Sequence, residues 1–152
     1  MRGARGRVRL QQAAATHQPM VLEVGSGVRL HGIASLPAAQ PPRAMALLLH
    51  GWEGSAESSY MRLTAAQLLH AGLAVFRLNF RDHGNSHHLN EGVFHSNRLD
   101  EVVAAAGTVA KLWPDLPLVV AGYSLGGNFA LRLALRAPAA GLPLQGVAAV
   151  CP

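Results

Sequence analysis

Leu118-Val119-Val120-Ala121-Gly122-Tyr123-Ser124-Leu125-Gly126-Gly127 is the stretch on which the reading of this chain turns. Four apolar residues lead into G-x-S-x-G, and a helical pattern runs on from Leu125 to Arg136. Strand, G-x-S-x-G and helix in that order are the context of a nucleophile elbow. The spacing has a physical reason. So tight a turn forces Ser124 into a strained backbone conformation, and side chains two residues to either side would clash, hence Gly122 and Gly126. Gly127 extends the small-residue space on the helix side. Ser124 is therefore expected at the carboxyl edge of a sheet, facing the N-terminus of a helix whose dipole favours a developing oxyanion. Stripped of that role, the same residues make a glycine-rich strand-to-helix turn that happens to carry a serine.

Acyl transfer on a serine needs two backbone N–H donors aimed at the oxyanion. Leu125, the residue after the nucleophile, is expected to supply one. The other is assigned to Trp52 in His50-Gly51-Trp52-Glu53-Gly54, which follows the apolar run from Ala44 to Leu49. Gly51 would allow close backbone approach there. His50 is expected to hold the loop by hydrogen bonds rather than to act as a base. Without an oxyanion role, this segment is a plain strand-to-loop turn.

Around these motifs, strand and helix signals alternate. Met20 to Val24 and Val28 to Leu36 are β-type runs split by Gly25-Ser26-Gly27, a hairpin signal. Ala44 to Leu49, Leu73 to Leu78 and Leu118 to Ala121 are continuous apolar runs, as strands covered on both faces require. Gly146 to Cys151 reads as another such interior strand. A helix capped by Ser59 carries the stripe Met61, Ala65, Leu68 and Leu69 and ends at Gly72. A second, opened by Asn97 and Asp100, carries Leu99, Val102, Val103, Ala106, Ala110 and Trp113, and Pro114 and Pro117 stop it. The expectation is an α/β class with a mostly parallel sheet and flanking helices.

Composition narrows the function classes. Half of the 152 residues are apolar and 14% are charged, a core-rich globular balance. The formal charge of +5 is concentrated at one end, with Arg2, Arg5, Arg7 and Arg9 supplying four of the thirteen basic residues. From position 11 onward nine basic residues face eight acidic ones, so no basic stripe for nucleic acid is expected. Residues 1–18 read as a disordered Arg/Ala/Gln-rich arm without the apolar run of a signal peptide, and residues 19–152 as part of one domain. No run is long enough for a membrane span. Cys151 is the only cysteine, which fits a reducing, cytoplasmic setting. No motif fixes an oligomeric state.

The chain resembles the N-terminal part of an α/β-hydrolase-fold protein. In particular it is similar to esterase-like hydrolases that carry HG-x-x-GS and then F-R-x-x-G-x-S. Here these are His50-Gly51-Trp52-Glu53-Gly54-Ser55 and Phe80-Arg81-Asp82-His83-Gly84-Asn85-Ser86, with Gly122 to Asn128 as the elbow. The three occur in family order and at family spacing over about residues 20 to 152. The resemblance implies a serine nucleophile with an acid and a histidine, no cofactor, and a small-molecule ester, thioester, amide or related acyl substrate.

One departure is large. In this fold the chain order is serine, then acid, then histidine. After Ser124 there is no Asp, Glu or His; the last acidic residue is Asp115 and the last histidine His95. The expectation is a C-terminally incomplete hydrolase chain, inactive as it stands because no base activates the serine. Asp82, His83, His87, His88 and His95 cluster after the fourth strand, and His83 is the nearest substitute base. Metal sites show helix-paired or Cys-paired spacing that these histidines lack, so no metal is expected. The rival reading is a non-catalytic binding protein on the same fold, or a gene fragment.

Overall fold

The computed structural model describes residues 2–13 and 15–152. Its centre is a six-stranded mixed sheet. β1 (Ala15–Glu23) and β2 (Arg29–Pro37) form an antiparallel hairpin. β3 (Met45–Leu49), β4 (Ala74–Leu78), β5 (Leu118–Tyr123) and β6 (Leu144–Val150) complete the order β1-β2-β4-β3-β5-β6. β4, β3, β5 and β6 run parallel, and β2 meets β4 antiparallel. β3 and β4 are buried at every position, which is why their apolar runs do not alternate.

Helices cover both faces. α1 (Arg2–Gln12) and α2 (Ser59–His70) lie on one side, where Leu10, Met61, Ala65 and Leu69 pack on Ala46, Leu48 and Val75. α3 (Leu99–Leu112) and α4 (Leu125–Arg136) lie on the other, where Val102, Ala106, Phe129 and Leu133 pack on Leu47, Leu49, Phe76 and Val120. The connection from β3 leads to β4 on one side of it, whereas β5 lies on the other side. That reversal opens a crevice at the carboxyl ends of β3 and β5, the place where open α/β sheets bind ligands.

The expected disordered arm is corrected for its described residues. Arg2–Gln12 is a helix and β1 starts at Ala15, four residues ahead of Pro19. Leu10, the single apolar anchor among Arg and Gln, is 6% exposed against α2. Residues 15–18 pair with 34–37 of β2, and His17 Nδ1 lies 2.8 Å from Ser35 Oγ. Pro19 is tolerated because β1 is an edge strand. Met1 and Ala14 of that arm lie outside the described residues. Both helix starts also shift. The N-cap of α2 is Ser58, whose Oγ accepts the Ser55 N–H instead of capping, and Arg98 precedes α3.

β6 is the other edge of the described sheet, and most of its positions are open to solvent. Val150 is 45% exposed, and Leu131 and Leu135 of α4 are 45% and 83% exposed nearby in the chain. An open parallel edge beside apolar side chains is a template for pairing. The 152-residue chain by itself is expected to self-associate. Light scattering on purified material at micromolar concentration checks this, and a monodisperse monomer would contradict it.

Candidate active site

Ser124 connects β5 to α4 with φ 51° and ψ −120°, a left-handed conformation that L-residues avoid. It occupies the N-cap position of α4, yet its side chain makes no capping hydrogen bond. A serine there ordinarily folds its hydroxyl back onto the helix N–H groups. Its backbone is pinned on both sides: its N–H donates to Val150 O at 2.8 Å, and its carbonyl accepts from Asn128 N–H at 3.0 Å. The N–H of Leu125 belongs to the first turn of α4, whose donors have no partner within the helix.

The glycines are explained by close approach. A Cβ on Gly122 would lie 2.1 Å from Gly126 O, and one on Gly126 would lie 2.4 Å from both Leu49 O and His50 O. The first turn of α4 therefore seats directly on the backbone leaving β3. Leu49 pairs with Gly122 across the β3–β5 ladder, so the loop after β3 and the elbow after β5 leave the sheet side by side. A Cβ on Gly51 would meet Tyr123 O at 3.3 Å and Ser124 Cβ at 3.4 Å.

The 50–58 loop is held from below. The Gly51 N–H donates to Tyr60 Oη at 2.9 Å, and the Gly54 N–H donates to Gly51 O at 3.0 Å. The Trp52 N–H takes part in none of these bonds, and the Trp52 side chain is 62% exposed, edge-on to Phe94. His50 is fully buried. Its Nδ1–H donates to Gly51 O at 2.7 Å, and its Nε2 accepts the Phe80 N–H at 3.2 Å. With both ring nitrogens occupied, His50 ties the loop to the end of β4 and has no site left for proton abstraction.

Burial pushes His50 down to about 4. In the folded chain the ring stays neutral until about pH 4, whereas in the unfolded chain it protonates near 6.5. Stability from this site is complete above pH 6.5 and is lost as the pH falls toward 4. The loss amounts to about 3 kcal/mol at most, at ~1.4 kcal/mol per pH unit. Urea melts at pH 7 and pH 4.5 measure it, and His50→Gln is expected to flatten that part of the acid slope. An unchanged slope would place the acid sensitivity elsewhere.

The loop after β4 closes the other side. Trp52, Glu53, Asp82, His83, His87 and Phe94 line an open cleft of about 360 Å³. His83 Nδ1–H donates to Arg81 O at 2.8 Å, and its ring packs against His50 and Phe94. His87 Nδ1 contacts Asp82 Oδ1 at 2.5 Å on the exposed rim, while His88 and His95 are exposed. Among the described residues, no three His, Cys, Asp or Glu side chains converge as a metal site would need. Tyr123 packs on Tyr60 with its hydroxyl against Thr64. Sequence reasoning missed Tyr60, which no motif marks, and Arg77 and Asn79, whose partners lie in the 50–58 loop. A lone arginine inside an apolar strand run was the available signal, since buried charge demands partners.

Residues 40–152 match the family described as serine aminopeptidase, S33. The chain belongs to that family. This S33-family chain is 32% identical over 112 residues to the sn-1-specific diacylglycerol lipase ABHD11 of Mus musculus, covering 72% of the chain and 31% of that protein. Among solved structures it is similar to an α/β serine hydrolase without lid from Xanthomonas campestris, at 26% identity and TM-score 0.68, over 83% of the chain and 57% of the other. It has the same fold as brefeldin A esterase, a bacterial homologue of human hormone-sensitive lipase, at 22% identity and TM-score 0.72. That match covers 90% of the chain and 39% of the esterase. A dienelactone hydrolase from Anabaena variabilis matches at 23% identity and TM-score 0.73, over 88% of the chain and 62% of the hydrolase. The S33-family chain thus corresponds to the N-terminal part of an α/β-hydrolase-fold serine hydrolase and spans about a third of the length of its curated relative.

Proposed function

We propose that this chain carries the nucleophile half of a serine hydrolase that cleaves carboxylic esters or related acyl bonds through an acyl-enzyme on Ser124. The supporting observation is the conformation of Ser124: strained, at a helix N-terminus, with its hydroxyl not spent on capping. In the reaction, Ser124 Oγ attacks the substrate carbonyl carbon, and its proton passes to a histidine base. The tetrahedral oxyanion is met by the Leu125 N–H, reinforced by the α4 dipole, and by the Trp52 N–H. Collapse expels the alcohol, and water later releases the acid.

We assign the acid and histidine of the triad to the part of the hydrolase fold that this chain does not span, since it covers 31% of its curated relative and no Asp, Glu or His follows Ser124 here. His50 has both nitrogens engaged and is not assigned as the base. His83 keeps Nε2 free with its Nδ1–H on Arg81 O, but among the described residues no hydrogen bond joins that ring to Ser124, so it is not assigned either. The 152-residue chain alone is accordingly expected to be inactive. The substrate is a small acyl compound in the cleft beside Trp52 and Phe94, in a cytoplasmic protein that uses no cofactor. A fluorophosphonate probe tests the reading: on the full-length protein the adduct should map to the peptide containing Ser124. An adduct on another serine, or none, would refute it.

A further inference from the structure

β4 carries an arginine inside an otherwise apolar run. Arg77 is 1% exposed, and with Val75 and Asn79 it shares the alternate-residue face of this strand and its extension. Its Nη1 donates to Ala56 O at 2.7 Å and to Glu57 Oε1 at 3.0 Å. Two residues on, Asn79 Oδ1 accepts the Ala56 N–H at 2.7 Å. Ala56 is itself fully buried. Two consecutive peptide planes on either side of this alanine are thus gripped by side chains of β4 and its extension. Asn79 is braced in turn, since its Nδ2–H donates to His31 Nδ1 at 2.9 Å and its own N–H to His31 O at 2.8 Å.

Ala56 lies four residues beyond Trp52. His50 and Tyr60 hold the near end of the 50–58 loop. Arg77 and Asn79 hold the far end. We propose that Arg77 and Asn79 are positioning residues for catalysis, setting the height of the loop so that the Trp52 N–H meets the oxyanion on Ser124. The inference rests on Trp52 being the second oxyanion donor. A guanidinium suits the task because Nη1 alone carries two N–H groups, one for Ala56 O and one for Glu57 Oε1. Glu57 completes the clamp by bridging Arg77 and Arg62, the latter at 2.8 Å. An apolar residue at 77 would fill the space and leave the Ala56 carbonyl buried and unpaired.

The test uses the full-length protein and two pairs of variants. Arg77→Met keeps the bulk and removes the donors, with Arg77→Lys as the conservative partner. Asn79→Leu removes the acceptor, while Asn79→Asp keeps an oxygen for the Ala56 N–H. Displacing an oxyanion donor acts on the transition state, so kcat on a p-nitrophenyl ester should fall roughly tenfold to a hundredfold with KM within about twofold. Arg77→Lys and Asn79→Asp should recover most of that loss. Equal kcat for Asn79→Leu and Asn79→Asp, or a loss confined to KM, would overturn the proposal. If Arg77→Met does not fold, the Asn79 pair decides. Hydrogen exchange of residues 51–58 reads the clamp without any turnover. Should Ser124 prove unreactive in the parent protein, the functional reading fails, and faster exchange confined to this loop in Asn79→Leu would still establish the clamp. Unchanged exchange there would remove the clamp as well.

Discussion

Ser124→Ala in the full-length protein is expected to bring ester hydrolysis down to the uncatalysed background and to abolish fluorophosphonate labelling. Loss of a triad serine elsewhere costs on the order of a millionfold in kcat. A fall of at least about ten-thousandfold is therefore the scale that separates a nucleophile from a bystander. The fold should survive, because the Ser124 side chain caps nothing and only its backbone is tied to Val150 and Asn128. Alanine must still hold φ near 51°, so a melting temperature a few degrees lower is compatible with the assignment. An alanine variant with more than a hundredth of the parent activity would sink it.

Gly126→Ala is expected to destabilise the fold strongly. The added Cβ would lie 2.4 Å from two carbonyl oxygens of the chain leaving β3, and backbone in the centre of a sheet cannot step aside. Overpacking typically costs 1–3 kcal/mol, and this site belongs at or above the upper end, about 3 kcal/mol. For a protein of this size or larger that is a drop in melting temperature of roughly 6–12 °C. Gly146→Ala is the control, because a Cβ there meets nothing within 4 Å. Similar melting temperatures for the two variants would show that the elbow does not seat on β3 as described.

The parts of the molecule that could be read from sequence are those where a local pattern and the tertiary answer coincide. Leu47, Leu48 and Leu49 stand in an unbroken apolar run of the kind a doubly covered strand requires, and the strand is buried at every position. The G-x-S-x-G spacing reports a close approach, and Gly122 and Gly126 prove to face backbone oxygens at 2.1 and 2.4 Å. What escaped depends on partners far along the chain. Leu10 offers no periodicity, and its helix is held by contacts with α2, some fifty residues away. Arg77 and Asn79 act on Ala56 across about twenty residues, and nothing local in either segment announces the other. Asn97 and Ser59 illustrate the opposite error, in which good capping residues sit beside the true helix starts because the loops before α2 and α3 set the entry.

The Leu49–Gly122 pairing has a kinetic consequence. β3 meets its sequence neighbour β4 through one α2 crossover, but its other flank stays vacant until β5, some seventy residues later, docks against it. Such a non-local contact must overcome a large loop-closure entropy before it returns any binding energy. During synthesis the 50–58 loop can form long before the elbow exists, and the strained serine is created only when β5 slots into the gap. Nascent chains arrested before residue 118 should therefore lack the strained turn at Ser124 altogether. The onset of Ser124 reactivity during refolding would then time the closure of the sheet's centre rather than the collapse of the chain.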